Sequence, residues 1–144
     1  MFICQQLALK NLKIEKILND GKNHDLFLFD TSSNERFRSL VFKAIKSVQG
    51  IVLVFDVTNR NPFDNLEEWL IIIKENLANP IIILFGNKAD SCKTEWTVNE
   101  KEIKEFWEKN YLEYFEVSSK NNAGINEGFS FLANKINDKM NIYS

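Results

Sequence analysis

The sequence predicts an α/β fold, a mostly parallel sheet with helices on its flanks. Three observations carry this expectation. The runs "IVLVFDVT" and "PIIILF" are apolar throughout, as in strands covered on both faces. Apolar residues at helical spacing separate these runs. The connections are short, with no linker, repeat or low-complexity segment, so strands and helices alternate as βα units.

The elements follow in order. "NLKIEKIL" sets Leu12 and Ile14 against Lys13 and Glu15 and continues to Ile17, the alternation of a half-exposed strand. "NDGK" supplies the Asp-Gly pair of a tight hairpin turn, and "HDLFLFD" returns as the second strand. From Phe37, apolar side chains at Leu40, Val41, Ala44, Ile45 and Val48 share one face of a helix, which Gly50 ends. "IVLVFDVT" is the next strand. Asn61-Pro62 offers a cap and a proline at the first helical position. The helix it opens carries Phe63, Leu66, Trp69, Leu70, Ile73 and Leu77 on its apolar stripe. After "PIIILF", the stretch Thr97-Val98-Asn99-Glu100 has the form of a capping box before a helix bearing Ile103, Phe106 and Trp107. "EYFEVSSK" gives the last strand and its loop. Ile125, Phe129, Leu132, Ile136 and Met140 then mark the last helix.

A chain of 144 residues suits one domain, here residues 12–140, between an atypical segment 1–11 and a tail 141–144. A net charge of −2 gives no electrostatic case for nucleic acid or an anionic membrane. Cys4 and Cys92 have no partner spacing for a disulfide framework or a zinc site, which fits a reduced, cytoplasmic setting. The apolar runs are too short to span a bilayer. "MFICQQLALK" lacks the features of a signal peptide, and "DKMNIYS" holds no cysteine for a prenyl anchor.

In open α/β sheets, ligands sit beyond the carboxyl ends of the strands. Asn87-Lys88-Ala89-Asp90 follows such a strand directly. The two carboxylate oxygens of an aspartate suit adjacent N–H donors on the edge of a guanine ring, and an asparagine can pin neighbouring loops. A lysine stem can cover an aromatic base while its ammonium stays wet. As a bare tetrapeptide, this is equally well a solvated loop. "EVSSK" ends the next strand, where Ser119 can offer a backbone N–H to a carbonyl oxygen and Lys120 can cover the other ring face. The two loops at matching strand ends strengthen each other.

With these stretches in hand, the chain resembles the Ras superfamily of small GTPases, the Rab branch in particular, from about residue 12 to residue 140. The resemblance rests on "DTSSNERFRSL", "QGIVLVFDVTNRNPFDNLEEWL", "GNKAD" and "EVSSK", in that order. It implies a P-loop NTPase fold with GTP or GDP and Mg²⁺ as ligands. It implies that Asn87, Lys88 and Asp90 read guanine, that Ser118, Ser119 and Lys120 complete the base pocket, and that Asp30 holds Mg²⁺ through water. Partners by the same resemblance are effector or regulator proteins, met through the hairpin and the switch region after Asp30. The setting is then vesicle traffic, with endomembranes reached through partners.

The sequence also departs from the family. It holds no G-x-x-x-x-G-K-[ST] loop, so the phosphate cradle, the first strand and the first helix are expected to be missing. Ser33 and Asn34 stand where the family has the glycine and glutamine of its Asp-Thr-Ala-Gly-Gln switch, which predicts negligible intrinsic hydrolysis. The missing strand belongs between "HDLFLFD" and "IVLVF", leaving two open edges. Phe2, Ile3 and Cys4 have strand character, but the favoured expectation is an unrelated N-terminal tail. Three readings remain: a Rab-like GTPase whose N-terminal part is absent from this sequence, a nucleotide-independent pseudo-GTPase that binds proteins, and a response-regulator-like domain with Asp56 as phospho-acceptor.

Overall fold

The computed structural model describes residues 2–3, 11–17, 23–31, 46 and 48–142. Among these, the strands are β1 (Phe2–Ile3), β2 (Asn11–Ile17), β3 (Asn23–Thr31), β4 (Gly50–Asp56), β5 (Ile81–Asn87) and β6 (Glu113–Glu116). The helices are α1 (Arg60–Asp64), α2 (Leu66–Asn76), α3 (Glu100–Asn110) and α4 (Ile125–Ile142), with a 3-10 turn at Lys93–Glu95. The predicted turn at residues 19–22, most of the predicted helix from Phe37 and the switch residues Ser33 and Asn34 lie outside the described residues.

β2 and β3 form the expected antiparallel hairpin, in register from Asn11 opposite Phe29 to Ile17 opposite Asn23. β4, β5 and β6 form a parallel ladder in that order, with Asp56 opposite Asn87. The expectation of an unrelated tail is corrected at its first residues. β1 runs parallel to β3, with Phe2 opposite Asp30 and Ile3 opposite Thr31, and it lies against β4. Two residues thus occupy the place that the sequence left open between the hairpin and the parallel ladder. The pairing supplies partners to part of an otherwise bare strand edge.

The core is built on both faces of the parallel ladder, as continuous apolar strands require. Ile51, Leu53, Phe55 and Leu84 face Phe63, Leu66, Leu70, Ile73 and Ile103 of the first three helices. Val52, Ile83, Phe85 and Val117 face Phe129 and Leu132 of α4. Met140, predicted on the apolar stripe of α4, is 54% exposed.

Three local boundaries differ from the sequence reading. Gly50 opens β4 rather than closing a helix. The stripe from Phe63 to Ile73 is shared by α1 and α2, which meet at Asn65, and the cap of α1 is Asn59, whose side chain accepts from the Asn61 N–H. Pro62 then falls within the first turn, where a missing N–H costs no helical bond. The capping box of α3 is Asn99 with Glu102, two residues later than expected. The delay has a cause: the Thr97 N–H bonds the Val57 carbonyl and Val98 is fully buried, so the chain stays tied to the end of β4 until Asn99.

Candidate functional site

The carboxyl ends of β4 and β5 lie side by side, and backbone bonds gather their loops. The Val57 N–H donates to the Asn87 carbonyl (3.1 Å), and the Ala89 N–H donates to the Val117 carbonyl (3.0 Å). Ser91 closes the turn by donating to the Lys88 carbonyl at 2.9 Å. Lys88 itself takes the left-handed conformation, with φ of 64°. A residue with a Cβ seldom adopts that region, and such strain gathers where a loop is shaped for a ligand.

The side chains interlock. The Asn87 Oδ1 accepts both the Ser119 N–H and the Ser119 hydroxyl, each at 3.0 Å. The Ser118 hydroxyl donates to Asp90 Oδ1 at 2.6 Å and accepts from the Asn121 N–H at 3.4 Å. Ser118 is buried, at 1% exposure. Its bond to Asp90 supplies the partner that burial demands. That bond is also the main cause that holds the exposed Asp90 carboxyl below its ordinary range, with smaller contributions from the charges of Lys120 and Lys88. The loop turns back through Gly124 at φ of 71°, where a Cβ would overlap the Glu116 carbonyl. Glycine is the residue that fits there.

Five of the predicted residues therefore meet on a shared framework. Asn87 and Ser119 bond each other, Ser118 bonds Asp90, and Lys88 stands between Asn87 and the Asp90 turn. Lys120 is exposed on the same loop. The Ser119 N–H, expected to be offered to a base, is engaged by Asn87 in this structure. Asp30 stands at the carboxyl end of β3, opposite Phe2, in the other ladder.

Sequence reasoning missed the partner of Lys88. Its ammonium lies 2.6 Å from Asp56 Oδ2. Asp56 also accepts on Oδ1 from the Thr58 N–H (2.9 Å) and hydroxyl (2.7 Å), so it caps the loop after β4 as well. Burial acts to raise this carboxyl, but the bonds from Lys88 and Thr58 outweigh it and hold it below its ordinary value. The signal lay in the register: Asp56 and Asn87 are the last residues of neighbouring parallel strands. These three donors let Asp56 cap the loop after β4, and among the described residues no cluster of acidic side chains stands beside it to hold the metal ion that a phospho-acceptor would need.

The residue types fit a guanine base: Asp90 is an exposed carboxylate acceptor, Asn87 ties the two loops together through Ser119, and Lys88 brings an aliphatic stem. For Mg²⁺, no three His, Cys, Asp or Glu side chains gather among the described residues. A cavity of about 470 Å³ lined by Gly50, Pro80, Ile136 and Met140 lies at the amino ends of β4 and β5, away from these loops.

A parallel ladder layered by helices, with its polar loops at the strand carboxyl ends, has the architecture of Ras-like P-loop GTPases. The chain matches the Ras family over residues 6–138. It is 31% identical to the Ras-related protein Rab-13 of Rattus norvegicus, covering 88% of this chain and 62% of that protein. It is 35% identical to the Ras-related protein Rab-8B of Homo sapiens, over 91% and 63% of the two chains. It is 32% identical to the GTP-binding protein ypt2 of Schizosaccharomyces pombe, over 88% and 63%. The chain belongs to the Ras family and is Rab-like. It spans less than two thirds of the length of these relatives.

Proposed function

We propose that this chain is the base-reading part of a Rab-like guanine-nucleotide switch, with a weak grip on nucleotide and impaired hydrolysis. The observation that carries this is the interlocking of Asn87, Asp90, Ser118 and Ser119 at adjoining strand ends. The Asp90 carboxylate would take the ring N–H and amino donors of guanine, Asn87 would fix the loop, and the stems of Lys88 and Lys120 would cover the ring faces. Asp30 would face Mg²⁺ from the end of β3. Two or three charge-assisted hydrogen bonds at roughly 1.5–3 kcal/mol each, less the cost of association, leave about high-micromolar to millimolar affinity when base contacts act alone. Effector or regulator proteins would meet the hairpin, whose β2 is, among the described residues, the outer strand of its ladder, an edge that suits an added strand. The implied setting is vesicle traffic at the cytoplasmic face of endomembranes.

A second reading, a nucleotide-independent interaction module, is favoured by one feature of the same site. Ser119 is engaged by Asn87, Ser118 by Asp90 and Lys88 by Asp56, so these groups keep their shape with no ligand. Calorimetric titration with GDP, IDP and ADP separates the two. Base reading predicts that GDP binds best, that IDP, which lacks the amino donor, binds more weakly, and that ADP does not bind. Asp90→Ala then erases the preference, and single-turnover assays find no GTP hydrolysis above buffer. Equal heats for GDP and ADP, or none for either, would leave the interaction module as the function.

A further inference from the structure

We propose that Asp56 is a positioning residue for Lys88, clamping its ammonium so that the aliphatic stem lies preformed across the carboxyl ends of β4 and β5. This rests on the base-reading function above, in which that stem covers a ring face. A free lysine stem makes a poor plate, because lysine is among the side chains that lose most rotamer freedom when fixed. Here the freedom is removed before any ligand arrives. The backbone of Lys88 is held left-handed at φ of 64°, and its carbonyl is tied to the Ser91 N–H. The far end of its side chain is tied at 2.6 Å to Asp56 Oδ2.

The clamp is itself rigid. Both Thr58 donors converge on Asp56 Oδ1, at 2.9 and 2.7 Å, which fixes the rotation of the carboxylate. The β4–β5 register puts Asp56 opposite Asn87, so the carboxylate's place relative to the base loop is set by the sheet. The Asp56 side chain is 23% exposed and that of Lys88 is 55% exposed, so the clamp sits inside the rim and the plate outside it. Pairing also balances the ammonium charge, leaving methylenes as the face offered to a flat ring. Preorganisation of this kind raises affinity by removing an ordering cost from the binding step.

The test uses the full chain and two readouts. On nucleotide-free protein, the acylation rate of the Lys88 amine is followed by peptide mass spectrometry against the exposed Lys101. Asp56→Asn is expected to raise that rate several-fold. Thr58→Val, which keeps both charges, is expected to move it the same way by less. In calorimetry, Asp56→Asn is expected to weaken GDP binding roughly three- to tenfold in the parent and to have no effect in the Lys88→Met background. Unchanged Lys88 acylation in Asp56→Asn overturns the proposal, as does equal weakening of GDP binding in both backgrounds. If the parent protein binds GDP no better than ADP, base reading fails, while the acylation comparison still decides the clamp.

Discussion

Asp56 and Asp90 each carry a carboxyl held below its ordinary value by hydrogen bonds in the folded state, although burial of Asp56 acts the other way. A lowered folded-state pKa contributes stability that is complete above the unfolded value and is lost as pH falls through the folded one. With unfolded carboxylates near pH ~3.9, the protein is expected to lose stability below about pH 4. Asp56→Asn, which cannot pair with Lys88 as an anion, is expected to be less stable than the parent at pH 6. That gap should close toward pH 3, as read by urea melts at the two values. A constant gap would mean that Asp56 acts through shape and not charge. The aspartate was visible in the sequence as a loop cap, and the Thr58 bond bears that out. Its tie to Lys88 was not, because a contact between residues on different strands is set by register, which no local pattern encodes.

At the scale of elements, β5 and β6 fit through a single glycine. Tyr114 lies opposite Leu84, and its hydroxyl reaches over Gly86, where a Cβ would overlap it. That hydroxyl is buried with no partner among the described residues, and burial pushes the phenol up from its ordinary value. Tyr114→Phe is therefore expected to be neutral or stabilising by up to about 1 kcal/mol. Gly86→Ala is expected to cost about 1–3 kcal/mol by overpacking, and less in the Tyr114→Phe background. Urea midpoints of the four proteins check both statements. Since Gly86 directly precedes Asn87, the same overpacking would disturb the base loop. The types of β2 to β6 and of the helical stretches were legible from periodicity and apolar runs, whereas β1 and the break at Asn65 were not. Nor were the starts of α1 and α3, because Asn59 competes with Asn61, and Asn99 with Thr97, for the capping position. For α3 the competition is decided by the burial of Val98 and the tie of Thr97 to β4.

For the whole molecule, the sheet divides the core into two apolar groups, one under the first three helices and one under α4. Ile73→Val on the first face and Ile83→Val on the second are each expected to cost about 0.5–1.5 kcal/mol. Their effects should add to within roughly 0.5 kcal/mol in denaturant melts, since the two side chains belong to separate groups. A larger coupling would mean that strain crosses the sheet. Sequence alone determined the alternation of strand and helix, the doubly covered ladder and the two polar loops, because these follow from patterns a few residues long. Only the tertiary structure decided that Phe2–Ile3 pair with β3, that Ser119 bonds Asn87 and that Lys88 is tied to Asp56. Each of these joins segments distant along the chain, and their meeting is fixed by strand order and register, which arise when the whole sheet assembles.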